Sequence, residues 1–446
     1  MQDLIIYQSN GEQELFVQKV VQQVKASQST VDSIVVTIDE TQTYQEIDGF
    51  GASFTDSSAY LIHQVLDKGQ RTELIEKLFS HEKGIGLSVL RNPMGASDYA
   101  RKMYSYNDIA EGETDFQLEQ FTIAHDLDDI IPLLQEALAI NPEIKLMASP
   151  WSPPAWMKTS GSMIGGELKA ECYEVYADYF VKYIQAYSEQ GLPIYAITPQ
   201  NEALYVPEHY PGMLMLPERQ ADFIKNYLKP NFLKYGLETK ILCYDHNWDR
   251  PDYPLAVIDE VGDAVDGVAW HWYGGKPVAQ HQVHMAYPDK EVHFTEGSGG
   301  EWIPAFEPAF SNVLRTGIEI LRNDSKSFVL WNMALDEENG PSVPGFGLST
   351  CRGVVTIEQQ SKALTYTLDY YALAHFSKFV QPKAVRIASS NSEEIRSVAF
   401  KNTDGSIVTI LFNDSDEMKA VQLIQHGNEI FHCNLAAKSA MTILKK

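Results

Sequence analysis

Eight short apolar runs, each closing on polar or aromatic residues, recur at Asp48 to Asp56, Gly86 to Met94, Ile144 to Ser152, Ile194 to Glu202, Thr239 to Asn247, Val265 to Tyr273, Glu291 to Ser298 and Ser327 to Leu335. Between them lie segments with amphipathic helical spacing, among them Arg71 to Leu78 and Tyr173 to Tyr187. This alternation predicts parallel strands joined by crossover helices, because a parallel neighbour is reached only through a long return connection. Eight such units suit a closed barrel better than an open sheet. No glycine-rich dinucleotide loop follows the first run, since Gly49-Phe-Gly-Ala-Ser-Phe carries two glycines and lacks the third. The predicted fold class is α/β, an eight-fold β/α barrel over residues 45–380.

From about Gln381 the pattern changes to short strands at Ala384 to Ile387, Ser397 to Phe400, Ile407 to Phe412, Ala420 to Ile424, Glu429 to Cys433 and Met441 to Leu444, with Asp404-Gly405 as a hairpin turn. The first 44 residues are also β-rich, with Leu4 to Tyr7 and Glu14 to Val17 flanking Asn10-Gly11. Neither end has enough strands to stand comfortably alone. Residues 1–44 and 381–446 are therefore expected to form one β-sandwich beside the barrel.

Charge and cysteine usage narrow the partners. Sixty acidic residues against 35 basic give a formal charge of −25, which repels phosphate backbones and anionic lipid, so neither nucleic acid nor membrane is an expected partner. Cys172, Cys243, Cys351 and Cys433 lack CxxC spacing, which argues for buried free thiols over a zinc site or disulfide framework. The start, Met1-Gln-Asp-Leu-Ile-Ile-Tyr, has no secretory signal pattern, and no apolar stretch approaches the ~20 residues of a membrane span, so a cytoplasmic location is expected.

In a β/α barrel the chemistry sits at the C-terminal strand ends. Here those ends read Thr55-Asp56, Arg91-Asn92, Pro150-Trp151, Asn201-Glu202, His246, His271-Trp272-Tyr273, Thr295-Glu296 and Trp331-Asn332. Glu202 and Glu296 close the fourth and seventh runs, nearly opposite one another. Glycoside hydrolysis needs such a pair: one carboxylic acid protonates the departing oxygen, and a second carboxylate attacks or stabilises the oxocarbenium-like centre. All seven tryptophans lie within the barrel region. Trp270 is expected in the core, whereas Trp151, in the rigid Ser149-Pro-Trp-Ser-Pro-Pro loop, is expected in a sugar pocket. No HExxH or GxSxG motif occurs, and Cys243, Asp245 and His246 alternate without a fourth metal ligand, so no metal or cofactor is expected. His246 and His271 read as pocket hydrogen-bonders or satisfied core histidines. A metal-dependent barrel enzyme and a catalytically inactive carbohydrate-binding protein are the rival readings.

The sequence resembles glycoside hydrolase family 30 over nearly its whole length. The resemblance rests on Asp48-Gly-Phe-Gly-Ala-Ser-Phe-Thr-Asp56, Arg91-Asn-Pro-Met94, Ala148-Ser-Pro-Trp-Ser-Pro-Pro-Ala-Trp-Met-Lys158, Thr198-Pro-Gln-Asn-Glu202, Val268-Ala-Trp-His-Trp-Tyr273, Phe294-Thr-Glu296 and Trp331-Asn-Met-Ala-Leu335. It implies a retaining two-step mechanism with Glu202 as acid/base, Glu296 as nucleophile and Asn201 bonded to the sugar 2-hydroxyl. It further implies that Asp56, Trp151 and Trp331 contact the terminal sugar and that Arg91, His271 and Tyr273 surround the nucleophile. Ala203 stands where the family usually has proline, and Ala52 where it often has glycine; Leu204 to Leu216 is expected to shape the leaving-group side. Glu202 is expected to be kept protonated by the negative charge of Glu296. The expected substrate is a small or oligosaccharide β-glycoside with a terminal β-D-glucosyl unit, as for a β-glucosidase or glucosylceramidase. β-Xylosidase, β-fucosidase and β-1,6-glucanase activities are the alternatives.

Overall fold

Each of the eight runs contains a strand: β1 (Gly49–Ser53), β2 (Val89–Pro93), β3 (Lys145–Ser149), β4 (Ile194–Ile197), β5 (Lys240–Asn247), β6 (Gly267–His271), β7 (Glu291–Glu296) and β8 (Ser325–Asn332). The computed structural model describes residues 4–10, 14–21, 33–301 and 309–446. All eight strands pair in parallel and in sequence order, and β8 closes on β1. A helix returns the chain after every strand, as the alternation predicts. The helix after β1, Lys68–Phe79, starts in a capping box: the Asp67 carboxylate accepts from Gln70 N, and the Gln70 side chain accepts from Asp67 N. Its Leu74, Ile75, Leu78 and Phe79 are buried.

Side chains from six different strands, Val89, Met147, Ala196, Leu242, Ala269 and Val329, share one small apolar cluster, which parallel strands can build only inside a barrel. The N-terminal end of the barrel is closed by ion pairs: Lys145 with Asp48 at 2.6 Å, Lys240 with Glu291 at 2.6 Å and Lys326 with Glu291 at 2.7 Å. β1 and β2 approach so closely that a Cβ on Gly51 would lie 1.6 Å from the Val89 carbonyl oxygen. Neither strand can yield without losing its register on both sides. Gly51→Val is therefore expected to cost on the order of 4 kcal/mol or more, read as loss of soluble protein or a collapsed thermal midpoint.

The two termini meet in a second layered unit. One hydrogen-bonded sheet of nine strands runs Asn428–Leu435, Lys419–Gln425, Ile34–Glu46, Val385–Ser389, Ile395–Lys401, Ile407–Asn413, Ser439–Lys445, Leu4–Asn10, Glu14–Val21. Leu4 and Ile6 near one end share a core with Leu423 and Phe431 at the other, so the sheet folds over on itself as a sandwich. Asp404-Gly405 does lie in the turn between two antiparallel strands, with Gly405 at φ +85°. Gly11 lies outside the described residues. Strand Ile34–Glu46 runs straight into the barrel, and its last residues are tied at the junction by Ile47 N to Ala384 O (2.8 Å) and Lys383 N to Ile47 O (2.7 Å). Arg315 on the helix after β7 and Arg396 in the sandwich both grip Asp414, at 2.6 and 2.7 Å. Among the described residues no helix is long and apolar enough to cross a membrane.

Candidate active site

The strand ends opposite the ion-paired base converge on Asp245. β5 departs from regular pairing between Tyr244 and His246, and Tyr244 and Asp245 both take left-handed backbone angles (φ 75° and 59°). Such a bulge re-aims a side chain, at a local cost of about 1–3 kcal/mol per strained residue. The buried Asp245 carboxylate thereby accepts from Arg91 (2.9 Å), Ser149 (2.8 Å), Thr198 (2.6 Å) and Thr295 (2.7 Å), and pairs with His271 Nε2 at 2.9 Å. These partners come from β2, β3, β7, β6 and the segment after β4, so one carboxylate keys most of the barrel mouth. Despite burial, Arg91 and His271 hold its carboxyl well below the usual carboxylate range.

Arg91 carries that order to Glu296. Its Nη1 donates to Glu296 Oε2 at 2.7 Å and its Nη2 to Asn201 Oδ1 at 2.7 Å, while Tyr273 Oη donates to Glu296 Oε1 at 3.0 Å. Both oxygens of Glu296 are thus fixed. Glu202 follows β4 at φ 48°, its backbone N–H tied to Asp245 O at 2.9 Å. The ring nitrogens facing its carboxylate stand off, His271 Nδ1 at 3.6 Å and His246 Nε2 at 3.9 Å. One oxygen each of Glu202 and Glu296 and a His271 nitrogen all lie within 4.8 Å of one another. That separation suits direct displacement by one carboxylate and leaves no room for the water an inverting pair accommodates.

Burial pushes Glu296 up, and with the charges of Glu202 and Asp245 added to it the opposing pull of His271 and Arg91 is overcome, so its carboxyl lies above the ordinary value. Burial also pushes Glu202 up, but the facing imidazoles of His271 and His246 prevail and lower it. The raised step of the pair therefore falls on Glu296, which corrects the expectation that Glu202 would carry it. The cause is the two imidazoles on the Glu202 side. His271 itself is pulled down by burial yet pushed up to about 9 by Glu296 and Asp245. An imidazole protonated near neutrality offers no lone pair, and a guanidinium already bonds Glu296, so this donor set suits proton transfer better than a metal ion.

The cleft above, of about 370 Å³, is lined by Trp151, Asn201, Glu202, Tyr273, Glu296 and Trp331 among the predicted residues. Trp151 and Trp331 stack at 4.8 Å, with the Arg91 guanidinium 4.9 Å from the Trp151 ring. Arg91 and His271 sit beneath as supports. Trp270 is fully buried in the core, Trp302 lies outside the described residues, and Cys172, Cys243 and Cys351 are buried free thiols while Cys433 is half-buried.

Asp56 is displaced from its expected role. Thr55 caps a short helix, and Asp56, its first residue, accepts from Arg101 N, Nε and Nη2 and pairs with His125 at 2.8 Å, away from the cleft lining. The carboxyl on the cleft wall is Asp98 instead. It is half-buried, has one oxygen without a partner, accepts a bond from Trp331, and is pushed well above the usual range by desolvation and by the charges of Glu296 and Glu202. A neutral carboxyl there can both donate to and accept from a sugar hydroxyl.

The glycosyl hydrolase family 30 TIM-barrel domain matches residues 47–380, and the glycosyl hydrolase family 30 beta sandwich domain matches residues 383–443. An endo-1,6-beta-D-glucanase of Neurospora crassa is 34% identical over 416 residues, spanning 89% of this chain and 82% of its own. The lysosomal acid glucosylceramidase of Mus musculus is 29% identical over 414 residues, 87% and 79% of the respective chains. The solved structure of the endo-beta1,6-glucanase BT3312 superposes with a TM-score of 0.90 at 32% identity, covering 99% of both chains.

Proposed function

The chain belongs to glycosyl hydrolase family 30 and is a retaining β-glycosidase, and from that premise we propose that it cleaves β-1,6-linked glucan, with Glu296 as nucleophile and Glu202 as acid/base. The observation that carries the linkage is likeness over nearly the whole chain to endo-1,6-glucanases in two comparisons, at 34% and 32% identity, against 29% for the glucosylceramidase. The expected glucosylceramidase-like specificity gives way to its β-1,6-glucanase alternative.

The roles follow from how the carboxylates are held. Glu296, with donors on both oxygens, is a pre-oriented anion facing the anomeric carbon. Glu202, with no close donor, is free to carry a proton to the glycosidic oxygen. The proton belongs to the coupled pair, and seating the leaving oxygen beside Glu202 moves it there as Glu296 attacks. The C–O bond to the aglycone breaks as the Glu296 ester forms. With the charge of Glu296 gone, ionised Glu202 takes a proton from water, and the resulting attack frees the sugar with its β configuration. Asn201 spends its Oδ1 on Arg91, which leaves Nδ2 to donate to the 2-hydroxyl, while Asp98 and the Trp151–Trp331 pair hold the ring.

Incubation with linear β-1,6-glucan, β-1,3-glucan, aryl β-glucoside, β-xyloside and micellar glucosylceramide tests the reading. The β-1,6 polymer is expected to give the highest kcat/KM, with the β-anomer appearing first by NMR. Preference for glucosylceramide or the xyloside would overturn the linkage.

A further inference from the structure

Lys158 is fully buried, and among the described residues no carboxylate pairs with it. Its Nζ reaches Ser152 Oγ at 3.0 Å, Met163 O at 2.8 Å and Gly212 O at 2.7 Å. Ser152 spends its own proton on Pro153 O at 2.8 Å, so all three partners of Nζ are acceptors. Three acceptors call for the three donors of an ammonium, even though burial alone drives the amine down to about 7. A buried cation without a counter-ion is costly, and here its return is geometric. The three partners sit on the loop after β3, on the hairpin that follows it, and on the loop after β4.

That last loop carries Tyr205 and Tyr210, both on the cleft, with Tyr205 49% exposed at the rim. Its other backbone ties to neighbouring elements are Gly212 N to Met163 O, Leu214 N to Gly166 O and, at its far end, Tyr253 Oη to Met215 O. Trp151, next to Ser152, has a further tie in Gln200 Nε2, which donates to its carbonyl at 2.7 Å. The sugar-holding floor therefore has a support of its own besides Lys158, whereas the Tyr205–Tyr210 wall leans on the Lys158 bond to Gly212.

We propose that Lys158 is a positioning residue for the leaving-group side of the cleft, pinning the Ala203–Leu216 wall so that it can receive the sugar that departs. The inference rests on the glycosidase reading above. It predicts a split between substrates. An aryl β-glucoside, with a small activated leaving group, has little use for the wall, whereas a β-1,6-linked gluco-oligosaccharide needs it.

Steady-state kinetics of Lys158→Met on both substrates, with thermal midpoints, test this. A rise in oligosaccharide KM of about tenfold is expected, with aryl-glucoside kcat/KM within about twofold. Gly212→Ala provides a second route, because a Cβ there would lie 2.3 Å from Pro207 Cδ and shift the same wall while the Lys158 side chain stays as it is; it should give the same split. Equal losses on both substrates in folded variants, or no loss on either, would overturn the proposal. If the wild type prefers another linkage, the β-1,6 reading fails alone, and the split is read on oligosaccharides of that linkage.

Discussion

Glu296→Gln is expected to lower kcat on every substrate by on the order of 10⁴-fold or more, because an amide cannot form the glycosyl ester. The fold should survive, since Arg91 keeps Asp245 and Asn201 as partners. Glu202→Gln should behave differently. Loss of a general acid costs about 10²–10⁴-fold where the leaving group needs a proton, and far less for an aryl leaving group that departs as a stable anion. That variant should therefore form the glycosyl ester from an aryl glucoside and hydrolyse it slowly, giving a burst and a lowered KM. The acid limb of its pH profile should also move. The charge of Glu202 is one of the causes that raises Glu296, so its removal lets the nucleophile ionise at lower pH and shifts the limb downward. Stopped-flow and pH-rate measurements on the two variants check both points. Near-normal turnover by Glu296→Gln, or an unchanged burst-free profile in Glu202→Gln, would remove the role assignment.

The barrel was legible because its strands are buried on both faces and so read as bare apolar runs, each cut off by the polar residues that face the cleft. The catalytic pair was legible for the same reason, since Glu296 is the last residue of β7 and Glu202 stands just past β4. Asp98 was not, because it projects from the loop beyond β2, six residues past Asn92, where strand-end reasoning has no hold. Asp245 is visible as a residue, but at regular strand spacing beside Cys243 and His246 it reads only as part of an incomplete metal-ligand set. The left-handed angles at Tyr244 and Asp245 that turn it toward Arg91 leave no mark in a sequence without glycine. Asp56 failed in the opposite sense: it follows a strand end, yet Thr55 starts a helix there, and Arg101, forty-five residues on, claims the carboxylate. Local pattern locates the ends of strands; which long-range cation satisfies a carboxylate is decided by packing.

Asp245 should accordingly be the residue on which stability and catalysis fail together. Asp245→Ala strips Arg91 and His271 of a shared counter-ion inside the barrel, and breaking a buried pair in this way costs about 3–5 kcal/mol. The pH dependence carries the sign. The carboxyl of Asp245 is depressed in the folded state, so its contribution is fully present above the unfolded carboxylate value and disappears only in acid. His271 is raised to about 9, so what it adds is complete below its unfolded value near 6.5 and is lost as pH climbs through about 9. Removing Asp245 takes away one of the two charges that raise His271, so the imidazole should titrate lower and the variant should lose less stability than wild type between pH 6.5 and 9. Urea melts at pH 6 and pH 9 measure this directly. A variant as stable as wild type at pH 6, or one that keeps the wild-type slope, would mean that Arg91 and His271 are balanced by Glu296 alone, and that the strained bulge in β5 serves some end other than aiming Asp245.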